Sequence, residues 1–359
     1  MTNHSFFGKL SWPQIVERSA KIVNFYDLGG SEKALKSSIK SLSPNYLDYL
    51  ALVVSASSGI TNDTIIFLKL ALAMNLPVMI IVTKIDLLLE EDKNIFLNNL
   101  NYIIKLQMSK KNPLVTKNQE DVVMFSRLMK ESIIPIFLVS NKSGKGLDLF
   151  INFLNVLPSN NSSLVDYNSK SNIQFDIHSI LTLEKDDTKE KIILVGILSQ
   201  GSIEKNTQLM LGPNEKGEFK LITIKAIHCK KIEVNKVFKG QYCTIEVDAK
   251  ENDVRKGMVL IDQQTKPSAC RVFEAKIWNI GDKEIKIIGN KTQLAVSSGH
   301  IRQIAVVKSD IEEIIIKPEE EKFLTFEFMF NPVYIQEGCH LLIMENFCKC
   351  YGVVQNVLN

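Results

Sequence analysis

The sequence lacks the features that mark secreted or membrane proteins. Its 359 residues hold six cysteines, too few and too dispersed for a disulfide framework, which favours a reducing compartment. The most apolar stretch, Leu70 to Val82, is interrupted by Asn75 and Pro77 and falls short of the ~18 residues that a membrane span needs. The first residues lack the basic flank and apolar core of a signal peptide. A cytoplasmic protein without membrane contact is therefore expected.

A strong excess of charge of either sign is also missing. The 43 basic and 40 acidic side chains leave a formal net charge of +3, which permits RNA as a partner but does not itself indicate one. Apolar residues make up 45% of the chain and charged residues 23%, as in soluble globular proteins. The length predicts two or three domains.

Two polar, turn-rich stretches predict where the domains divide. Pro158 to Ser171 has the composition of a linker, and Asp262 to Ala269 is a weaker second break. They predict three domains, over residues 1–158, 171–262 and 269–359.

The first domain alternates between predicted strands and predicted helices. Its apolar runs predict buried strands at Ile22 to Tyr26, Tyr49 to Val54, Val78 to Val82 and Ile134 to Val139. Helical apolar spacing covers Glu32 to Leu42, Thr64 to Met74, Asn94 to Leu106 and Leu147 to Leu157. Such alternation is typical of a parallel sheet covered by helices.

The other two domains contain short predicted strands separated by turns. These strands are Ile192 to Leu198, Gln208 to Leu211, Leu221 to Ala226, Tyr242 to Val247, Phe273 to Ile277, Ile301 to Val307, Phe323 to Phe328 and Leu341 to Met344. Their spacing suits two small antiparallel barrels or sandwiches. The predicted fold class is thus α/β followed by all-β.

Two short motifs follow predicted strands of the first domain. Asp27-Leu28-Gly29-Gly30 has the form DxxG, which senses the γ-phosphate in GTPases. Thr83-Lys84-Ile85-Asp86 has the form [NT]KxD, which selects guanine over adenine. Each motif alone is weak, but their order, spacing and context predict a GTP-binding fold.

The second motif is placed at the carboxyl edge of a parallel sheet, where ligands of open α/β sheets bind. Asp86 can accept hydrogen bonds from the N1–H and 2-amino groups of guanine, and adenine offers neither donor there. The stem of Lys84 can pack along the base plane. Ser140-Asn141-Lys142 follows the next predicted strand, and its backbone N–H groups are placed to meet guanine O6. The competing interpretation is a polar loop that caps the next helix, and the position of Ser140 disfavours it.

Asp27 and Gly30 are candidates for contact with phosphate and metal. A carboxylate at a strand end can hold Mg²⁺ through water, and Gly30 lets its backbone N–H approach a phosphate closely. The alternative is a glycine-rich turn that enters a helix capped by Ser31. The two interpretations carry equal weight.

The sequence contains no GxxxxGK[ST] phosphate-binding loop. Gly8-Lys9 is followed by Leu10, and Gly144-Lys145 lies downstream of the guanine motif with Gly146 after it. Such a loop supplies backbone N–H donors, a lysine and a hydroxyl for Mg²⁺. Losing three hydrogen bonds of ~1.5–3 kcal/mol each would weaken nucleotide binding by roughly a thousandfold or more.

Five stretches in order along the chain resemble the translational GTPases of the elongation factor Tu and elongation factor 1-alpha superfamily, in particular the subfamily typified by GTP-binding proteins one and two. They are Ser19 to Lys36, Leu70 to Leu88, Pro135 to Phe150, Val254 to Leu260 and Gly299 to Val307. The resemblance implies an incomplete P-loop-GTPase-type domain followed by two antiparallel β-barrel domains. It implies GTP and Mg²⁺ as cofactors, and ribosome, tRNA or other RNA as partners.

The resemblance also implies roles for individual residues. Asp27 and Gly30 would lie at the γ-phosphate, Thr83, Lys84 and Asp86 at guanine, and Ser140 in the last guanine loop. Two departures bear on catalysis. The P-loop and the switch threonine have no counterpart, which favours an N-terminally truncated sequence, and Ser31 stands where the family usually has a histidine that orients the attacking water.

Two functions of different class therefore remain open. The first is a GTP-hydrolysing factor of the elongation-factor type, impaired in this chain by the missing P-loop. The second is a non-hydrolysing, GTPase-like adaptor that binds RNA, ribosome or protein partners. Other candidates are weaker. Cys339, His340, Cys348 and Cys350 would be a minority zinc site. The remaining candidates are predicted to be barrel residues or solvated faces, with RNA contact a minority interpretation for the lysines: His178, His228, His300, Lys230-Lys231 and Lys110 to Lys117.

Overall fold

The computed structural model describes residues 11–27, 47–158, 172–185, 189–345 and 347–358. The chain forms two compact units: one comprises Met1–Glu32 with Leu47–Ser163, the other Lys33–Tyr46 with Leu164–Asn359. The predicted helix Glu32 to Leu42 lies outside the described residues. Within the described residues, no helix is long and apolar enough to cross a membrane.

The first unit contains a parallel sheet and its covering helices. The helices are Trp12–Glu17 (α1), Asn62–Ala73 (α2), Glu90–Gln107 (α3), Gln119–Leu128 (α4) and Leu147–Val156 (α5). The strands are Leu50–Ser55 (β1), Val78–Thr83 (β2), Asn112–Val115 (β3) and Ile133–Leu138 (β4). All are paired in parallel, in the order β1-β2-β4-β3.

The central strands β2 and β4 show why this sheet could be predicted from the sequence. Both are nearly continuous apolar runs, and Ile80 and Ile136 are fully buried, as expected for a sheet packed on both faces. The predicted strands at Tyr49 to Val54, Val78 to Val82 and Ile134 to Val139 are confirmed. The helices predicted from residues 64, 94 and 147 are confirmed as well, with starts shifted by at most four residues.

The prediction of a buried strand at Ile22 to Tyr26 is wrong. Residues 21–27 form no ladder, all are exposed, and the Phe25 side chain is 58% exposed. A strand requires a neighbour that takes up its backbone hydrogen bonds, and β1 is the outermost strand of the described sheet. Instead, the Lys21 ammonium donates to the carbonyls of Leu154 and Leu157 at the carboxyl end of α5, an arrangement that favours a cation.

The second unit is built from antiparallel strands. Those of the first part are Gln174–Lys185 (β5), Lys189–Gln200 (β6), Ser202–Glu204 (β7), Gln208–Gly212 (β8), Lys220–Cys229 (β9), Ile232–Glu233 (β10), Lys236–Phe238 (β11), Tyr242–Val247 (β12) and Val259–Ile261 (β13). Seven strands form a sheet in the order β10-β9-β12-β6-β5-β13-β8, and an added β8–β9 pairing returns the sheet onto itself.

The second part of this unit is a closed barrel. Its strands are Val272–Asn279 (β14), Ile285–Ile288 (β15), Gln293–Ser298 (β16), Ile301–Lys308 (β17), Glu313–Ile316 (β18), Glu321–Phe328 (β19), His340–Met344 (β20) and Lys349–Leu358 (β21). The barrel order is β14-β19-β17-β16-β20-β21, and β15 pairs with β18. Its core includes three contacting phenylalanines: Phe273, Phe326 and Phe328.

The two β structures contact each other within this unit. The Arg255 guanidinium donates to the carbonyls of Pro213 and Pro332, at 2.8 and 2.7 Å. His300 lies 3.3 Å from Asp176, and both side chains are buried.

The predicted fold class, a parallel α/β sheet followed by two antiparallel barrels, is confirmed by the strand order of these sheets. The domain boundaries at 158, 171, 262 and 269 stay predictions.

Candidate functional site

The guanine motif lies at the carboxyl edge of the parallel sheet, as its position after an apolar strand predicted. Thr83 is the last residue of β2, and its carbonyl accepts a 2.9 Å hydrogen bond from the Ala56 N–H after β1. On the other side of β2, the Val139 N–H donates to the Val82 carbonyl at 2.8 Å. The ends of three parallel strands are thus joined at one edge.

A sharp turn directs Asp86 out of the sheet. Lys84 has a φ of 60°, in the left-handed region, and a single 3₁₀ turn, Ile85–Leu87, follows. Ile85 is buried in the core, whereas Lys84 and Asp86 are exposed. A left-handed conformation strains a non-glycine residue, and such strain is concentrated at functional sites.

Ser140 connects the second predicted loop to the first. Its hydroxyl donates to Asp86 Oδ1 at 2.5 Å across 54 residues of chain, and the Ser140 side chain is fully buried. This hydrogen bond is the main cause of a lowered pKa of the Asp86 carboxyl, and Lys142 lowers that pKa further. The carboxylate is therefore ionised and oriented by Ser140, and the Asp86 residue is exposed.

The loop from 140 to 146 is closed by its own backbone. The Ser140 N–H donates to the Lys145 carbonyl at 3.0 Å, and the Gly144 N–H donates to the Ser140 carbonyl at 2.9 Å. Asn141 and Lys142 lie at the exposed tip. The loop thus presents polar groups next to the Asp86 carboxylate.

Gly146 was not predicted as a site residue, although it shapes this loop. Its φ is 76°, and a Cβ atom there would lie 2.0 Å from the Leu138 carbonyl oxygen. Only glycine permits the loop to return this close to the end of β4. A glycine shortly after a predicted strand end, in the segment Ser143-Gly144-Lys145-Gly146, was the available signal.

The structure places the phosphate candidates less completely than the guanine candidates. Asp27 ends the exposed segment 21–27, and no hydrogen bond from it to the guanine loops occurs among the described residues. Gly30 and Ser31 lie outside the described residues. The structure therefore joins Thr83, Asp86 and Ser140 into one edge but leaves the predictions for Asp27 and Gly30 open.

Comparison with known proteins supports the same class. The sequence profile of the elongation factor Tu GTP binding domain matches residues 10–167. The chain is 32% identical to GTP-binding protein 1 of Xenopus laevis, over 99% of this chain and 53% of that protein. It is 31% identical to human GTP-binding protein 2, over 96% of this chain and 57% of that protein.

The chain belongs to the translational GTPases of the elongation factor Tu type. It spans about half the length of the curated relatives that it matches. Structural comparison agrees at the level of fold. The apo form of translation elongation factor SelB from Methanococcus maripaludis aligns with a TM-score of 0.63 and 16% identity, over 96% of this chain and 75% of that one. The same factor with the GTP analogue GppNHp also has a TM-score of 0.63, with 18% identity over 92% of this chain and 70% of that one.

The described residues also include the minority zinc candidates, Cys339, His340, Cys348 and Cys350. No group of three or more potential metal ligands occurs among the described residues. Cys348 and Cys350 are buried, and their sulfurs lie 3.7 Å apart. Burial raises the pKa of the Cys339 thiol, so the thiolate that zinc requires is disfavoured there.

Proposed function

We propose that this translational GTPase binds guanine nucleotides through Asp86, with the base held between the Thr83–Asp86 loop and the Ser140–Lys142 loop. The observation that carries the proposal is the 2.5 Å hydrogen bond from Ser140 to Asp86. It joins the two loops that the sequence predicted to share one ligand, and it fixes the orientation of the carboxylate.

Selection of guanine follows from the hydrogen-bonding pattern of the base. An ionised carboxylate only accepts hydrogen bonds, and guanine presents two adjacent donors at N1 and the 2-amino group. Adenine has an acceptor at N1 and no 2-amino group, so Asp86 would lose its solvent partners without replacement. Lys84 and Asn141 are exposed beside the carboxylate, which leaves them free to follow the base plane and its O6 edge.

The proposed behaviour at the phosphates is weak binding and little or no turnover by this chain. The 359 residues contain no GxxxxGK[ST] loop, and Ser31 cannot replace a histidine that orients water, because a hydroxyl is shorter and carries no positive charge. Mg²⁺ commonly uses one or two carboxylates together with phosphate oxygens and waters. Asp27 fits this role only with a bound nucleotide, and it would then hold the ion through water.

The decisive experiment compares nucleotides that differ only in the base. The purified chain is titrated calorimetrically with GDP, ADP and xanthosine diphosphate, alongside the Asp86→Asn variant. We expect the wild type to prefer GDP and the variant to prefer xanthosine diphosphate, by about tenfold or more in each case. The reason is that the carboxamide of the variant can donate to the C2 carbonyl of xanthine, where guanine carries an amino group.

The controls separate base recognition from misfolding. Asp121→Asn removes a half-exposed carboxylate that caps α4 in the same unit, and it should leave the preference for GDP unchanged. Equal affinity of the wild type for ADP and GDP would refute the proposal. Mg²⁺-dependent GTP hydrolysis by residues 1–359 that Asp86→Asn abolishes would refute the expected lack of turnover.

The alternative function is a non-hydrolysing adaptor that keeps the body of the family for contact with RNA, ribosome or protein. The observation that favours it is that both antiparallel β structures of the family body are present in this chain. One measurement, the dependence of partner binding on guanine nucleotide, distinguishes the two functions. An adaptor would bind its partner equally with and without guanine nucleotide, whereas a nucleotide-dependent factor would not.

A further inference from the structure

Helix α3 has apolar side chains on two opposite faces. Its inner face packs on the sheet through Leu100 and Ile104, which are fully buried. On the outer face, Ile95, Tyr102 and Leu106 are 60%, 66% and 62% exposed. At about 100° per residue, these three side chains lie within about 40° of one another around the helix. They form a continuous strip, called here the outer strip, along a helix that is about 27 Å long.

The outer strip differs from the apolar residues that the neighbouring helices expose. Among the described residues, α2, α4 and α5 each have one or two large apolar side chains at the surface, and none is more than 45% exposed: Leu72, Val123, Met124 and Val156. Single exposed apolar residues are normal on a protein surface and need no explanation. Three aligned ones on a single helix face indicate an interaction site.

The charged residues beside the outer strip have opposite signs at its two ends. Glu91 lies in the first turn of α3 and Lys105 in the last, and both are exposed. Both lie on the same flank of the strip, about 40° and 80° from Ile95 around the helix. The Lys105 ammonium contacts the amide oxygen of Asn112 at 2.5 Å. Neither Glu91 nor Lys105 has a charged partner in the described part of the chain, so each charge is available to another molecule.

The order of these residues is symmetrical about the Asn98-Asn99 pair in the middle of the helix. Ile95 lies three positions before the pair and Tyr102 three positions after it. Glu91 lies seven positions before the pair and Lys105 six positions after it. Two such helices that cross antiparallel at Asn98-Asn99 place Ile95 of each beside Tyr102 of the other. They also place Glu91 of each beside Lys105 of the other, whereas a parallel crossing would bring like charges together.

We propose that the outer strip is the interface of a homodimer, in which α3 pairs antiparallel with α3 of a second copy of this chain. A two-fold axis beside Asn98-Asn99 repeats every contact, as in most protein dimers. Burial of the outer strip stabilises the dimer, and the two pairs between Glu91 and Lys105 determine the direction of the partner helix.

The charges of this face also limit what else could cover it. A membrane-bound helix has a polar face rich in lysine and arginine, whereas the first turn of α3 is acidic, with Glu90, Glu91 and Asp92. A second copy supplies both signs of charge where they are needed. One helix from each copy gives an interface at the small end of the range for specific complexes, so we expect a dissociation constant of ~10 μM.

The first test removes the apolar centre of the outer strip. Sedimentation velocity of the full chain between about 1 and 200 μM should show a monomer–dimer equilibrium. Ile95→Gln with Tyr102→Gln changes exposed positions only, so circular dichroism should stay that of the wild type while the dimer weakens by about a hundredfold. The control is Val123→Gln with Met124→Gln, which removes two apolar side chains of 45% exposure from α4. It should leave the dissociation constant unchanged.

Charge reversal tests the antiparallel direction. Glu91→Lys and Lys105→Glu should each weaken self-association by about tenfold, because each brings like charges together at both ends of the dimer. An equimolar mixture of the two variants should associate about as tightly as the wild type, because each then offers the other an opposite charge at both pairs. Asp92→Lys makes the same charge change in the first turn but on the opposite flank, so it should weaken association much less.

Each arm has a result that would overturn the proposal. A wild-type chain that stays monomeric at the highest concentration has a partner of another kind on this face or none. A dimer that persists in Ile95→Gln with Tyr102→Gln, or that Val123→Gln with Met124→Gln disrupts, uses another surface. Charge-reversal variants that associate no better as a mixture than alone would exclude the antiparallel pairing.

Discussion

At the scale of single residues, the candidate site depends on the contact between Ser140 and Asp86. The serine is fully buried and the carboxylate is exposed, so the position of the serine is fixed by the core and the carboxylate takes its orientation from it. A positioned acceptor loses less freedom when a ligand arrives, which favours recognition of the base. The hydroxyl is therefore expected to contribute to affinity without contacting the nucleotide.

Replacing the hydroxyl tests this role. Ser140→Ala should raise the pKa of Asp86 towards its ordinary value, because the hydrogen bond to Ser140 is the first cause of its lowering. GDP affinity should fall by about tenfold. The pKa is measured by NMR titration of the Asp86 carboxyl carbon and the affinity by calorimetry. Ser143→Ala, in the same loop but not bonded to Asp86, is the control. An unchanged Asp86 pKa in Ser140→Ala would contradict the assignment.

Gly144 and Gly146 offer a matched pair for the shape of the loop. Both have positive φ, 77° and 76°, but an added Cβ would meet nothing within 4 Å at Gly144, whereas at Gly146 it would lie 2.0 Å from the Leu138 oxygen. Gly144→Ala should cost about 1 kcal/mol of unfolding free energy from backbone strain. Gly146→Ala should cost more, about 2–4 kcal/mol, because β4 must shift. Urea unfolding measures both, and equal losses would refute the role of the close approach.

The sequence made some of these residues predictable and not others. Thr83 to Asp86 could be placed because an apolar run predicts a buried strand, and a motif after it must emerge at the sheet edge. The contact between Asp86 and Ser140 joins residues 54 positions apart, and that contact is not encoded in any local pattern. Asp27 could not be placed because its predicted strand depends on pairing, which local hydrophobicity does not determine.

At the scale of elements, Asn279 holds one end of the closed barrel together. Its side chain is fully buried at the end of β14, where its amide donates to the carbonyls of Lys283 and Ile316, and its oxygen accepts from the Gly281 N–H. One polar side chain thus forms hydrogen bonds with backbone groups of both the turn after β14 and the end of β18. Backbone groups that are buried without partners are costly, so this residue cannot be replaced by an apolar one of similar size.

The expected cost of losing this side chain is large. Asn279→Ala should reduce the unfolding free energy by about 2–4 kcal/mol, because three backbone groups lose their partner in a dry interior. Asn356→Ala removes an exposed amide that donates to Glu274, and it should change stability by less than about 0.5 kcal/mol. Chemical denaturation of both variants checks this. A loss at Asn279 no larger than at Asn356 would show that water replaces the missing bonds.

Element prediction succeeded where one face or both faces of a segment are buried. Strand β12 alternates between buried and partly exposed residues throughout, and β17 and β19 alternate over residues 304–307 and 323–328. Each of these strands contains a strand predicted from the sequence. The short strand β3 was not predicted, because Lys110 to Lys117 has the composition of a solvated segment, and helix α4 was not predicted either. Pairing with β4 turns four of its residues, Asn112–Val115, into a strand. In this segment, pairing with the neighbouring strand determined the secondary structure, and the intrinsic propensity of the residues did not.

At the scale of the whole second unit, the contact between its two β structures contains a buried titratable group. His300 lies in the turn between β16 and β17, 3.3 Å from Asp176 on β5, and its Nε2 has no hydrogen-bonding partner within the described part of the chain. Arg255 faces the same cluster and is held by two carbonyls. Burial lowers the pKa of the His300 imidazole, Asp176 and the Gly257 backbone oppose that change, and Arg255 adds to it.

The sign of the resulting pH dependence follows from this shift. An unfolded histidine binds a proton near pH 6.5, whereas the folded protein resists protonation at His300 until a lower pH. The unfolded state therefore binds more protons in that interval, and acidification favours it. Stability from this group is fully present above about pH 6.5 and is lost as the pH falls below that value.

The corresponding experiment uses urea unfolding of the full chain between about pH 8 and pH 5. The unfolding free energy should fall by up to about 1.4 kcal/mol per pH unit per histidine below the unfolded pKa. His300→Gln keeps a donor towards Asp176 but does not titrate, so the variant should show a smaller slope. The slope that remains is expected from His178 and His340, whose pKa values are also lowered by burial. A slope in His300→Gln equal to that of the wild type would place the titrating group elsewhere.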